Sequence, residues 1–67
     1  MYKEGDKLVL HSVNGETYDI EIISINEFRP PEEKYGVDMY CKGEYYGDVY
    51  FCGEAFLDKC EVVGRAI

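Results

Sequence analysis

Tryptophan is absent from this 67-residue chain, histidine occurs once and proline twice, and seven lysines and arginines stand against fourteen aspartates and glutamates. Each shortage excludes something. No lysine or arginine has another beside it and the formal charge is −7. Binding to a phosphate backbone rests chiefly on clustered cations, so direct nucleic-acid binding is not expected. No apolar stretch reaches the length of a membrane span or of a signal peptide's apolar core. The sequence therefore reads as a cytoplasmic protein with no membrane partner. Three cysteines, Cys41, Cys52 and Cys60, are an odd number for a disulfide-stapled secreted domain, and they read as reduced thiols.

What remains is apolar and aromatic enough to fold. Apolar residues make up 46% of the chain and aromatics 15%, with seven tyrosines and three phenylalanines, too hydrophobic a composition for a disordered tail. The length allows one domain, residues 1–67, around one small core. A chain this short buries only about 60% of the surface its unfolded form exposes, so its sheet edges must be closed or covered. Tyrosine suits such a core because its ring packs while its hydroxyl stays at the wet margin.

Along the chain the period is two. Lys7-Leu8-Val9-Leu10-His11 predicts a first strand, and Asn14-Gly15 a tight turn. From Thr17 to Phe28, Tyr18, Ile20 and Ile22 alternate with Asp19 and Glu21; then the phase slips, with Ile23 and Ile25 apolar. A one-residue slip predicts a β-bulge or a sharp bend. Arg29-Pro30-Pro31-Glu32 ends the strand, because two prolines remove two backbone donors. Tyr35 to Cys41 predicts a third strand with Tyr35, Val37, Met39 and Cys41 on one face. The following turn is centred on either Lys42-Gly43 or Tyr46-Gly47, and Val49 to Cys52 is a fourth strand under both readings. Gly53 to Lys59 suits a single helical turn whose Phe56 and Leu57 plug the core. Cys60 to Gly64 completes five strands. The predicted core is Ile20, Ile22, Ile23, Ile25, Val37, Phe51, Phe56 and Val62.

The order of these elements, with Gly5-Asp6-Lys7-Leu8-Val9 at the start, Tyr35-Gly36-Val37 in the third strand and Phe56-Leu57 before Cys60-Glu61-Val62-Val63, resembles the SH3-like barrel superfamily. The resemblance implies an all-β fold: a small five-stranded SH3-like barrel with one helical turn before the last strand. The chain departs from peptide-binding SH3 domains in having no ALYDY-like segment and no tryptophan for a proline-binding surface. An OB-like five-stranded barrel is the alternative, although its nucleic-acid face would be unusually acidic.

No catalytic constellation emerges, and a barrel this small leaves little interior for a cleft, so no enzyme activity and no cofactor are expected. His11, Cys41, Cys52 and Cys60 include zinc-ligand types, but cysteines eleven and eight residues apart form no knuckle, and small buried thiols are the simpler reading. Glu16, Asp19, Glu21 and Glu27 form an acidic stripe on or near the polar side of the second strand. The densest aromatic cluster, Tyr40, Tyr45, Tyr46 and Tyr50, lies among Asp38, Glu44 and Asp48. Carboxylates attract a cationic partner over distance and tyrosines anchor it on contact. These seven residues are the expected site of a small acidic protein-binding module, an inhibitor or regulator of the kind bacteria or phages supply. Its expected partner is a basic protein surface, including that of a nucleic-acid-binding protein. The alternatives are a structural or homo-oligomeric β unit paired through an exposed edge and a nucleic-acid-binding barrel, which the charge disfavours.

Overall fold

The computed structural model describes all residues, Met1–Ile67, and forms a strongly curled antiparallel sheet. Its strands are β1 (Lys7–His11), β2 (Thr17–Ile25), β3 (Tyr35–Cys41), β4 (Glu44–Tyr45), β5 (Tyr50–Cys52) and β6 (Glu61–Gly64). A 3₁₀ turn, Pro31–Glu33, precedes β3, and a one-turn helix, α1 (Glu54–Leu57), precedes β6. The all-β reading and the single α-helical turn before the last strand hold. Two details are corrected: there are six strands, not five, and the barrel is not closed. The order runs β4-β3-β2-β1-β6, with β5 also on β3, so β6 stays at the opposite end of the sheet from β4 and β5.

The sixth strand arises because the second hairpin arm is interrupted. Cys41 pairs with Glu44, so the turn is centred on Lys42-Gly43, where both residues have positive φ, 54° and 84°. That is the backbone of a two-residue type I′ hairpin, whose twist matches the strands it joins. The ladder continues to Tyr46, whose N–H donates to the Met39 carbonyl at 2.9 Å, and resumes with Tyr50 opposite Val37. Gly47, Asp48 and Val49 thus face Asp38 alone, a bulge with Gly47 at φ 102°. Strands β4 and β5 are two pieces of one arm along the same edge of β3. The first hairpin uses its Asn-Gly pair differently from a type I′ turn: Gly15 alone takes positive φ, while the Asn14 Oδ1 accepts from the Glu16 N–H at 3.0 Å.

Directly opposed residues share a face of the sheet. On the inner face the register aligns Leu8, Ile20 and Met39, then Ile22, Val37 and Tyr50. Tyr2, Leu8, Ile20, Ile22, Tyr35, Val37 and Leu57 form the buried core. Of the predicted core, Ile20, Ile22 and Val37 are buried, and Ile25, Phe56 and Val62 pack against it partly exposed. Ile23 and Phe51 are corrections, at 37% and 48% exposure. Ile23 is the extra residue where pairing jumps from Ile22↔Val37 to Ser24↔Gly36, so the phase slip is a bulge that turns Ile23 outward. Phe51 lies opposite Gly36 on the outer face, where the Arg29 guanidinium stacks over its ring at 4.2 Å. Tyr2 and Tyr35 meet edge to face at 5.9 Å. Their hydroxyls bracket α1: Tyr35 donates to Glu54 at 2.8 Å and Tyr2 to Asp58 at 2.6 Å.

The Gly5-Asp6 pair of the opening segment joins both ends of the chain. Asp6 is fully buried; its Oδ1 accepts from the Ala66 N–H at 2.7 Å and its Oδ2 from the Lys3 N–H at 2.9 Å. Arg65 Nη1 stands 3.4 Å from the same Oδ2 and donates to the Met1 carbonyl at 3.1 Å. These donors, the Ala66 N–H foremost, hold the Asp6 carboxyl below the ordinary aspartate range despite its burial.

Candidate functional site

Strand parity divides the tyrosine cluster between two surfaces. Tyr40 and Tyr45 are cross-strand partners on the outer face, with ring centroids 5.3 Å apart. The Tyr45 hydroxyl donates to Asp38 Oδ1 at 2.8 Å, and that bond is the main reason its pKa lies above the ordinary tyrosine value. Tyr46 and Tyr50 belong to the inner face and continue a row from Tyr18, at 5.9 Å and 6.0 Å between successive rings. Glu44 sits at the hairpin tip opposite Cys41, also on the inner side, and Asp48 lies in the bulge between β4 and β5. The seven residues named from sequence therefore surround one sheet edge, but only Asp38, Tyr40 and Tyr45 form a contiguous set on the outer face.

Register adds two members to that set. Tyr40 is opposite Asp19 and Asp38 is opposite Glu21, which brings the acidic stripe of β2 beside the tyrosine pair. Sequence alternation shows Asp19 and Glu21 to be outward-facing; which β3 residues they meet depends on hairpin register, which alternation leaves open. The other acids of the stripe are engaged elsewhere: Glu16 accepts from the Cys41 thiol at 3.3 Å and lies 3.7 Å from Lys42, and Glu27 pairs with Lys34 at 3.2 Å.

The outer surface has a shallow depression of about 420 Å³ lined by Lys7, Asp19, Glu21, Tyr40, Gly43 and Val63, among others. Lys7, opposite Glu21, is its one cation. The four ion pairs of the molecule use Glu61, Glu27, Glu16 and Asp6, so Asp19, Glu21 and Asp38 have no cation within 4.0 Å. Glu21 directly opposite Asp38 is a like-charge pair, which costs the sheet a few tenths of a kcal/mol, up to about 1.

The inner face opens into a larger groove of about 840 Å³ between β1, β3, β5 and α1. Leu10, Val37, Met39, Tyr50, Cys52 and Phe56 supply its apolar surface, and Glu32, Lys34 and Glu54 its charged margin.

The zinc-ligand types are dispersed. His11 Nε2 is 3.0 Å from Glu61 Oε1, Cys41 contacts Glu16, and the Cys60 thiol donates to the Phe56 carbonyl at 3.6 Å. Burial raises the Cys52 thiol to about 11 and pushes Cys60 up as well; both remain thiols at neutral pH. No group of three histidine, cysteine or acidic side chains is placed to hold a metal ion, and no helix is long and apolar enough to cross a membrane. Comparison with known protein families, with curated proteins and with solved structures finds no match to this chain.

Proposed function

We propose that the protein is a small acidic protein-binding module that engages a basic protein surface through its outer face. The observation that carries this reading is the Tyr40–Tyr45 pair, fixed by Asp38, beside three carboxylates that have no ion-pair partner. The carboxylates raise the rate of encounter with a cation, and the preorganised tyrosines supply contact area at little entropic cost. Glu44, Tyr46, Asp48 and Tyr50 border the same edge, and the carboxylates of Glu44 and Asp48 extend the acidic field around it. A nucleic-acid-binding protein is a partner of the right charge, whereas nucleic acid itself would be repelled. We further propose that the scaffold is an open variant of the SH3-like layout, a reading supported by the order of hairpins, the bulged second strand and the turn before β6. No catalytic role is part of the proposal.

The test is capture from the native host's lysate at about 50 and 200 mM salt, using wild type, Tyr45→Ala and the Glu21→Gln/Asp38→Asn pair. The reading expects one protein retained by wild type at low salt, with retention falling at high salt and in both variants. Equal retention by folded variants would exclude this face.

A further inference from the structure

The inner groove offers a second surface, which shares only Tyr50 with the edge bordering the outer face. We propose that it receives a cationic amphipathic helix of a partner protein, its apolar stripe seated on Leu10, Met39, Tyr50 and Phe56 and its lysines or arginines directed to Glu32 and Glu54.

Four observations converge on that occupant. First, the groove is mostly apolar and, at about 840 Å³, much larger than the ~150 Å³ cavity that holds one benzene. It has room for several large side chains, as one stripe of a helix presents. Second, its floor offers little free backbone. Strand β3 is paired on one side by β2 and on the other by β4 and β5, which leaves only the outer edge of the three-residue β5 open beside the groove. An extended peptide longer than that edge would bring unpaired N–H and C=O groups onto an apolar floor, whereas a helix satisfies its own. Third, the margin offers carboxylates to a cation. Glu32 is exposed and has no ion-pair partner, while of the neighbouring cations Lys34 is already paired with Glu27 at 3.2 Å and Arg29 is stacked over the Phe51 ring at 4.2 Å. Fourth, the apolar surface continues past the groove as the Tyr18–Tyr46–Tyr50 row, so a ligand longer than one side chain has something to lie along. A second copy of this chain does not meet these requirements: its one α-helix has four residues, and each copy carries a formal charge of −7.

The probe is a synthetic leucine–lysine peptide of about 18 residues, five helical turns, with leucines at the i, i+3, i+4, i+7 spacing. It is compared with a leucine–glutamate peptide of the same pattern and a serine–lysine peptide lacking the apolar stripe. Calorimetry measures affinity, and amide chemical shifts locate the contact. The expected result is saturable binding of the leucine–lysine peptide alone, with shifts at Leu10, Met39, Tyr50 and Phe56 and none at Asp19, Glu21 or Tyr45. Tyr50→Asp is expected to weaken binding about tenfold or more, and Glu32→Lys about two- to fivefold. Both positions are exposed, and amide spectra of the free variants verify that each is folded. Absent binding overturns the proposal. So do shifts confined to the outer face, equal binding of the serine–lysine or leucine–glutamate peptide, or wild-type affinity in both variants. Binding of a small apolar dye without the helix would assign the groove to small molecules instead. The outer-face variants Tyr45→Ala and Glu21→Gln/Asp38→Asn leave the peptide's affinity within about twofold, so failure here and failure of the outer-face reading are separate results.

Discussion

Asp6 shows how one side chain can be decisive in a chain this small. It is a fully buried carboxylate that ties residues near the start to residues near the end, with the Lys3 and Ala66 N–H groups as donors. Hydrogen bonds to a charged group are worth about 1.5–3 kcal/mol each. Asp6→Ala is therefore expected to destabilise by about 3 kcal/mol, a large share of what a domain of this size possesses, and denaturant unfolding checks it. The pH dependence follows from the lowered folded-state pKa. The stabilisation is complete above the unfolded aspartate value, about 3.9, and is lost as pH falls through the lower folded value. Wild type should lose this contribution progressively on acidification below about pH 4 to 5, whereas Asp6→Asn, already lacking the charge, should show a shallower acid dependence. The sequence showed Asp6 only as part of the Gly-Asp opening of the SH3-like resemblance. Its partner Ala66 lies sixty residues away at the other end, and local pattern carries no information about such a contact. Tyr2 was hidden likewise, while Tyr35 was placed on the Val37 face but left out of the predicted core; each is amphipathic, and the carboxylates at Glu54 and Asp58 pair their buried hydroxyls.

At the scale of elements, legibility depended on parity. The single extra residue at Ile23 inverts the period-two pattern, so the bulge of β2 was visible in the sequence, although Ile23 itself was assigned inward. The β4–β5 interruption adds two residues, which preserves parity and leaves the alternation undisturbed. Sequence therefore left two turn positions open, and both sites changed backbone: Lys42-Gly43 became the turn and Gly47 the bulge. Lys42 at φ 54° is the one non-glycine residue in the left-handed region. Lys42→Asn is expected to stabilise by about 0.5–1 kcal/mol, less whatever the exposed Glu16 ion pair contributes, and to raise the melting temperature by a few degrees. Gly43→Ala is expected to cost about 1–2 kcal/mol. Opposite signs at adjacent positions in thermal melts check the turn type. Gly53 tests the junction beneath the groove. A Cβ there would stand 2.5 Å from the Pro31 carbonyl oxygen and 2.9 Å from Glu32 Cα, both backbone atoms. Gly53→Ala is expected to cost about 1–3 kcal/mol by forcing the 3₁₀ turn away from α1, again read by denaturant unfolding.

For the molecule as a whole, sequence conveyed charge and strand content but not closure. Whether a curled sheet closes depends on pairing between its two ends, here β6 and the β4–β5 arm, and no local residue pattern specifies that contact. Openness has two functional consequences. It leaves the inner groove accessible, and it places the tyrosine cluster at a free edge where parity distributes it over two faces. The outer face unites Asp38, Tyr40 and Tyr45 with Asp19 and Glu21, and the central functional claim rests on that set. The most direct test is surface plasmon resonance against the cationic protein captured from the host, at two salt concentrations. Glu21→Gln/Asp38→Asn should slow association several-fold and flatten its salt dependence with little change in dissociation. Tyr45→Ala should instead speed dissociation, about tenfold or more, while leaving the association rate and its salt dependence near those of wild type. Wild-type rate constants in both folded variants, or steeply salt-dependent binding of the wild type to bare duplex DNA, would contradict the account.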